Sequence, residues 1–390
     1  MNVEYIIIII GGTKMKKKKS LLAVLALLLV FMLLFAGCNN AAPAGSDNSG
    51  GNQQSQGGDG KYKIALSNSF IGNDWRQNMQ AVAEMVAADP YYADRVQLDI
   101  INCEHTPEAQ TASIDSITEM GYDAILVDAC STTGIDNALK RAQDAGLKVV
   151  VFDQIVESDE FVKMECDWEY VGETCAKFIA ETCGGKGNYV MDRGQSGAAT
   201  AEILYDTCVN YLKENTDMVL VAEFESEYAE GPAEQGVTAA MTANSQIDAV
   251  FSQGYVACIA RAFRNADKKI PVITGGGSNG TGIDVLENGD YTCLQWDCNL
   301  AGMGAMAMEQ AIQMLEGNEP TEKHIVLQDA QFKSTNPELG EKIGVELIEY
   351  KDGENVFKDY SAGFSWPVLP EDFPVQIKVE DLVERQKDFS

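Results

Sequence analysis

The sequence predicts an α/β protein built as two lobes, each a doubly wound parallel sheet, and three observations carry that prediction. Short β-rich runs recur along the chain, each followed by a helix-length amphipathic stretch. Several of these runs, such as AILV at 124–127 and VVVF at 149–152, lack the alternation of a half-exposed strand and suit strands covered by helices on both faces. After the VVVF run the pattern starts again, so the 390 residues hold two βα series and not one.

The first strand is expected at Tyr62–Ser67 (YKIALS), followed by a helix from about Asp74 to Ala88. Val96–Asn102 leads to a helix over Glu108–Met120, Ala124–Val127 to one over Gly134–Ala145, and Val149–Phe152 ends at Asp153. The second series reads Tyr189–Met191, a helix near Ala198–Glu214, Val219–Phe224, a helix over Glu230–Ala243, Ala249–Phe251, a helix over Tyr255–Asn265, then Pro271–Thr274 and Tyr291–Gln295. Ligands of such sheets bind beyond the carboxyl ends of the strands. The polar residues falling there are Asn68, Asn73, Asp74 with Trp75, Asp128, Asp153 with Gln154, Arg193, Gln253, and Gln295 with Trp296 and Asp297. Asp74 also stands where a helix N-cap is expected. Arg193, in DRGQSG, is as well placed to support its loop as to touch a ligand.

Charge narrows the function. The chain carries 29 Lys plus Arg against 59 Asp plus Glu, a net charge of −30. The first 38 residues hold five Lys and one Glu, so the remainder, with 24 basic and 58 acidic residues, carries −34. A body this acidic repels phosphate backbones and anionic lipid headgroups, which argues against nucleic-acid binding and against electrostatic adsorption to membranes.

The N-terminus reads as an address. Met15 opens MKKKKS, and sixteen unbroken apolar residues follow from Leu21 to Ala36. At about 1.5 Å per residue they fall short of a hydrocarbon core of roughly 30 Å, so a cleaved signal is expected over a spanning helix. Leu34-Phe35-Ala36-Gly37-Cys38 resembles the lipobox of bacterial lipoprotein signals, with Cys38 as the thiol that takes the lipid. Residues 1–14 precede a complete signal and read as a misplaced translation start. Asn39 to Gly60, rich in Gly, Ser, Asn and Gln, has too few apolar side chains to offset ordering entropy and is expected to be a flexible tether spanning roughly 25 Å.

Nine further cysteines follow Cys38, an odd number with no CxxC pair, so neither a zinc knuckle nor a redox pair is signalled. Most are read as core thiols, which suits an anoxic setting better than an oxidising one. Only two His exist, His105 and His324, each without a partner motif, and there is no GxSxG elbow. An enzyme, a cofactor and a metal site are therefore not expected.

Four stretches carry a specific resemblance: YKIALSNSFIGNDWRQNMQAVAEMVA, GYDAILVDACSTTGIDNALKRAQDAGLKVVVFDQ, IDAVFSQGYVACIARAFRNADKKIPVIT and LENGDYTCLQWDCNLAGMGAMAMEQAIQMLEG. In this order and spacing, from about Lys61 to Gly317, they resemble the ribose- and galactose-type periplasmic binding proteins. The resemblance implies the type I periplasmic-binding-protein fold, in which two lobes joined by three chain crossings close on ligand like a hinge. The crossings map near Cys166, Trp296 and Val326. One lobe would then comprise 61–166 plus 297–326 and the other 167–296 plus 327–390, with the tail after Gly317 packed along the second lobe.

Carried over by position, the resemblance assigns ligand contacts to Asn73, Trp75, Asp153, Trp168 and Gln295. Amides and carboxylates suit vicinal hydroxyls, and aromatic faces suit the apolar face of a pyranose. The departures are as informative. Gln154 and Glu202 stand where arginines are expected, Gly254 with Tyr255 next to it replaces an asparagine, and Gly276 replaces an aspartate. Loss of arginine points away from anionic ligands, and the two glycines point to a larger pocket. Trp366 is read as a packing residue. Gly275-Gly276-Gly277-Ser278-Asn279-Gly280 fits GxGxxG literally, yet it closes the fold instead of opening it, and a tight turn is expected in place of a dinucleotide site.

The function these readings imply is a monomeric, lipid-anchored solute-binding protein outside the cell, passing a sugar or similar polar molecule to an ABC permease. The alternative is a receptor that presents its closed lobes to a membrane histidine kinase or chemoreceptor. A sugar-responsive repressor shares the fold, but the lipobox takes the place of a DNA-binding helix pair and the charge opposes DNA.

Overall fold

A computed structural model of the chain describes residues 60–298, 301–327, 330–366 and 368–386. The signal, the lipobox with Cys38 and all but the last residue of the tether lie outside the described residues.

The chain begins with β1 (Tyr62–Asn68), α1 (Asp74–Ala88), β2 (Val96–Asn102), α2 (Pro107–Glu119), β3 (Ala124–Asp128), α3 (Asp136–Asp144), β4 (Lys148–Phe152) and β5 (Val162–Cys166). It continues with α4 (Trp168–Cys183), β6 (Lys186–Asp192), α5 (Ala199–Asn215), β7 (Asp217–Phe224), α6 (Glu230–Ala243), β8 (Ala249–Phe251), α7 (Val256–Asn265), β9 (Val272–Gly276), α8 (Asn279–Asn288) and β10 (Cys293–Asp297). Then come α9 (Met303–Leu315), β11 (His324–Leu327), β12 (Gln331–Ser334), the short α10 (Gly340–Ile343) and α11 (Val379–Gln386). One sheet runs β11-β5-β4-β3-β1-β2 and the other β12-β10-β9-β8-β6-β7. Every pairing is parallel except that of β12 with β10, which is antiparallel at an edge.

Both sheets are doubly wound, and the reason lies in the period of the strands. Side chains alternate faces, so Ile64, Leu66, Leu126 and Val150 pack toward α1 and α9. Their neighbours Ala65, Ile125, Val127 and Val149 pack toward Ile114 of α2 and Leu139 of α3. In the second sheet Met191, Phe251 and Leu294 meet α4 and α5, while Val190, Val250 and Ile273 meet α6 and α7. Strands buried on both faces need no polar side, which is why their sequences are continuous apolar runs.

The chain passes between the sheets three times: after β5, where Asp167 Oδ1 accepts from Tyr170 N at 2.9 Å and caps α4; after β10, on the way to α9; and between β11 and β12. Cys166 Sγ donates to Cys298 O at 2.7 Å, tying the first two crossings together. All nine described cysteines are unpaired, and six of them are buried. No helix among the described residues is long and apolar enough to cross a membrane.

The elements read from the sequence are present. The reading did not single out β5, whose Lys163 and Glu165 interrupt an apolar run, nor α4, α9 and the elements that follow it, nor α8, which starts inside the glycine-rich turn with Ser278 Oγ accepting from Thr281 N at 3.4 Å. The tail corrects a second expectation, since only its first part lies along the second sheet. Past Trp366 it crosses to the other lobe, where Gly302 N donates to Val368 O at 2.7 Å and Phe373 stacks on Tyr92 at 6.5 Å. There α11 lays Leu382, fully buried, and Val383 against α1, and Arg385 pairs with Glu84. The apolar stripe of α11 needs a partner, and the outer face of α1 supplies it.

Gly302 permits that crossing. A Cβ there would lie 2.3 Å from both Leu369 Cδ2 and Val368 O, too close for either to remain in place. Gly302→Ala is expected to cost about 1–3 kcal/mol as overpacking, with the melting temperature in calorimetry falling by several degrees. An unchanged melting temperature would show that the tail is not packed against the start of α9.

Candidate functional site

At the carboxyl ends of the first sheet a buried cation organises the loops. Asn73 caps α1, its Oδ1 accepting from Arg76 N at 2.9 Å, so Asn73 and not Asp74 is the N-cap. That cap points Arg76 back over the strand ends. Arg76 Nη1 donates to Asn68 Oδ1 at 2.7 Å and pairs with Asp128 Oδ2, and Nη2 lies 3.9 Å from Asp153 Oδ2. Arg76, Asp128 and Asp153 are 5%, 0% and 3% exposed. Burial pushes the Asp128 carboxyl well up; Arg76 opposes this and the neighbouring Asp153 adds to it. Asp153 itself sits at φ 59°, a left-handed backbone that a non-glycine residue adopts at a cost and that turns its side chain off the line of β4.

The second sheet uses an anion for the same task. Asp192, fully buried at the end of β6, accepts from Gly194 N at 2.8 Å and Ser226 N at 3.0 Å through Oδ1, and from Gln253 N at 2.9 Å through Oδ2. One carboxylate thus fastens the loops after β6, β7 and β8. Burial pushes it up to about 6 against the pull of those backbone donors.

Between the two sets of strand ends lies a cavity of about 580 Å³. Eight of the sequence candidates line it: Asn73, Asp74, Trp75, Asp153 and Gln154 from one side, and Trp168, Gln253 and Tyr255 from the other. Gln154 Nε2 donates across the gap to Thr200 Oγ1 at 2.9 Å, and Thr200 Oγ1 lies 3.1 Å from the Tyr228 hydroxyl. Trp168 is 5% exposed, and its Nε1 has no hydrogen-bond partner among the described residues. Asp74 faces Glu230 from the opposite side; burial first, then that carboxylate, raises its own. Gly254 and Gly276 both line the cavity, with nothing within 4 Å of a Cβ placed on Gly254.

Three candidates are corrected. Arg193 lies outside the lining, paired with Glu223 at 3.1 Å and stacked on the Tyr205 ring at 4.0 Å; it supports the outer face, because the inward position belongs to its neighbour Asp192. Glu202 is exposed on α5 and turned away from the cavity. Gln295 is buried behind the wall, donating to Asp297 Oδ1 at 3.1 Å and accepting from Tyr350 at 3.3 Å, while Trp296, on the opposite face of β10, and Asp297, at the end of the strand, reach the lining. Trp366, read as packing, lines the cavity as well.

The reading also missed residues. Arg76 follows Trp75 directly, but nothing next to it in the sequence marks an arginine that reaches down from a helix to the strand ends. Tyr228, at φ 50°, comes from the loop before α6, whose fold no local pattern announces, and Thr200 stands in the first turn of α5, where the helix is legible but not the face that meets the cavity.

A family model described as the periplasmic binding protein domain matches residues 64–319. The chain belongs to that family. It is 21% identical to the ribose import binding protein of Escherichia coli (strain K12) over 287 residues, 67% of this chain and 93% of that protein. It is 25% identical to the ribose import binding protein of Bacillus subtilis (strain 168) over 147 residues, 37% of this chain and 47% of that one. Among solved structures it resembles an ABC transporter solute binding protein from Thermobispora bispora, with 28% identity, a TM-score of 0.62, and coverage of 68% of this chain and 83% of that one. The relatives are binding proteins and not enzymes, as the sequence led us to expect.

Asp192 yields a pH test. Its folded carboxyl titrates near 6 against an ordinary 3.8, so the folded state holds the proton more tightly than the unfolded one. The stability this contributes is full below about pH 3.8 and is lost as pH rises through about 6. The stability difference between wild type and Asp192→Asn, from denaturant titrations, should therefore shift against wild type by on the order of 2–3 kcal/mol from pH 4 to 7. A difference that stays level with pH would show that the folded carboxyl titrates like the unfolded one, its burial fully offset by the three backbone donors.

Proposed function

We propose that this chain captures a small polar solute, most simply a sugar, between its two lobes outside the cytoplasm and presents it to an ABC importer. The observation that carries the reading is one cavity in which aromatic faces (Trp75, Trp168, Trp296) and hydroxyl-seeking groups (Asn73, Asp153, Gln154) converge from both sheets. A pyranose has both kinds of surface, an apolar C–H face and a rim of vicinal hydroxyls. Such a pair of demands is rarely met by a cavity that serves packing alone.

The 61–166 and 297–326 segments act as one lobe and 167–296 with the first part of the tail as the other, moving about the three crossings. Ligand favours closure to the extent that it touches both lobes, and the Gln154–Thr200 hydrogen bond is a closed-state contact of this kind. Arg76 is held by carboxylates, and Asp74 and Glu230 face each other across the cleft. The solute is accordingly neutral or cationic. Ribose import binding proteins among the relatives support a sugar, and the altered positions Gln154, Gly254 and Gly276 argue for one other than ribose.

Signal cleavage before Cys38 and lipidation of that thiol complete the reading: a monomeric body tethered at the outer face of the cytoplasmic membrane. Its acidity keeps it soluble and complements a basic rim on the permease.

Two experiments test this. Melting curves of the purified protein with a panel of pentoses, hexoses and polar amines should rise for one chemical class, with quenching of tryptophan fluorescence; flat curves across the panel, or turnover of any member, would overturn the solute-binding reading. Cys38→Ala, expressed in a bacterium that processes lipoproteins, should move the protein from the membrane fraction to the soluble one. Retention at the membrane would rule out the lipid as its anchor.

A further inference from the structure

The matched domain ends at 319, yet the cavity does not. Ala362, Gly363, Ser365 and Trp366, more than forty residues beyond it, form part of the lining. They belong to a strap fastened at both ends. On the second lobe Asn279, 6% exposed, holds it: Oδ1 accepts from Phe357 N at 2.8 Å, Nδ2 donates to Phe357 O at 2.7 Å and Ser361 O at 3.1 Å, and the backbone N donates to Phe364 O at 2.7 Å. Gly280 N adds a bond to Ala362 O at 2.7 Å. The glycine-rich stretch 275–280 is thus a dock for the strap. Gly280 is one reason it can be, since a Cβ there would come within 3.0 Å of Ala362 Cβ.

From this dock the strap reaches the first lobe. Asn78 Nδ2 donates to Gly363 O at 3.3 Å, and Gly363 lies so close to the Asp74 carboxylate that a Cβ would fall 1.6 Å from Oδ2. Trp366 follows, half-buried, with its ring held edge to face on Phe357 at 6.1 Å, and Phe357 is itself packed on Tyr360 and Phe364. An indole fixed by its neighbours and still lining a cavity is a ready platform: its orientation is settled before any ligand arrives, so little entropy is lost on contact.

We propose that the strap is part of the binding site, forming a wall that neither sheet's strand-end loops supply, and that Trp366 contacts the solute through the face of its indole and helps to set specificity. The proposal rests on the reading of the cavity as the solute site. It assigns the ligand a third recognition surface, suited to the apolar face of a sugar ring whose hydroxyls are held by Asp153 and Gln154 from the first lobe.

Calorimetric titration of the purified protein with D-ribose, D-allose, D-galactose, D-fructose and L-arabinose identifies the tightest-binding sugar of the five as probe. Trp366→Ala should weaken that sugar by roughly tenfold or more, while Trp366→Phe stays within about threefold of wild type. Phe373→Ala, which disturbs the tail where it meets Tyr92 and not at the cavity, should also stay within about threefold. Should Trp366→Ala fail to melt cooperatively, Trp366→Leu makes the same comparison. Binding by the Trp366 variants within about twofold of wild type, or equal weakening by Trp366→Ala and Phe373→Ala, overturns the strap's role and leaves the cavity reading intact. Failure of wild type to bind any of the five overturns the strap's role in holding a sugar ring, and the wider panel of polar solutes then decides the cavity reading by itself.

Discussion

A charge buried under each set of loops is the constraint from which the rest of this site follows. Placing a guanidinium out of water costs several kcal/mol unless anions and hydrogen-bond acceptors surround it. Arg76 therefore fixes where Asp128, Asp153 and Asn68 must be, and they lie at three strand ends of one sheet. Because Arg76 sits in the first turn of α1, the same requirement sets the rotation of that helix, and with it the places of Asn73 and Trp75. The second lobe solves the equivalent problem with the opposite sign, gathering three backbone N–H groups around Asp192. Neither arrangement is a strong source of net stability; each specifies one loop arrangement over many.

This explains which parts of the molecule could be read in the sequence. Runs such as AILV and VVVF report burial on both faces directly, so the lobes and their order are legible. Strand-end positions are legible only to within one residue, and a side chain's face changes with every step. Arg193 and Gln295 failed for that reason: each adjoins a residue that does face inward, Asp192 in one case and Trp296 in the other. Glu202 failed because a helical position says nothing of which side meets the cavity. Arg76 was invisible because its partners lie 52 and 77 positions further along the chain, and no local pattern announces a pairing of that span.

The glycine-rich stretch shows how one local pattern can serve unlike ends. Glycines at 276, 277 and 280 leave room for Gly254, Asp297 and Ala362 in turn, close approaches of protein to protein where a dinucleotide loop would need close approach to phosphate. Trp366 has a comparable history. It reads as packing in the sequence, and the structure seats it on Phe357, which Asn279 holds, with an edge on the cavity.

The strap's bonds also carry a consequence for biogenesis. Asn78 and Gly363 are 285 positions apart, and Arg385 meets Glu84 across 301. Chains emerge and fold from the N-terminus onward, so both sheets can form while the wall holding Trp366 is still being made. A polypeptide interrupted during export would then have two sheets and an unfinished cleft. The segment from Phe357 to Trp366 is therefore no dispensable appendage: a chain cut before it would keep both sheets and lose one wall of the cleft.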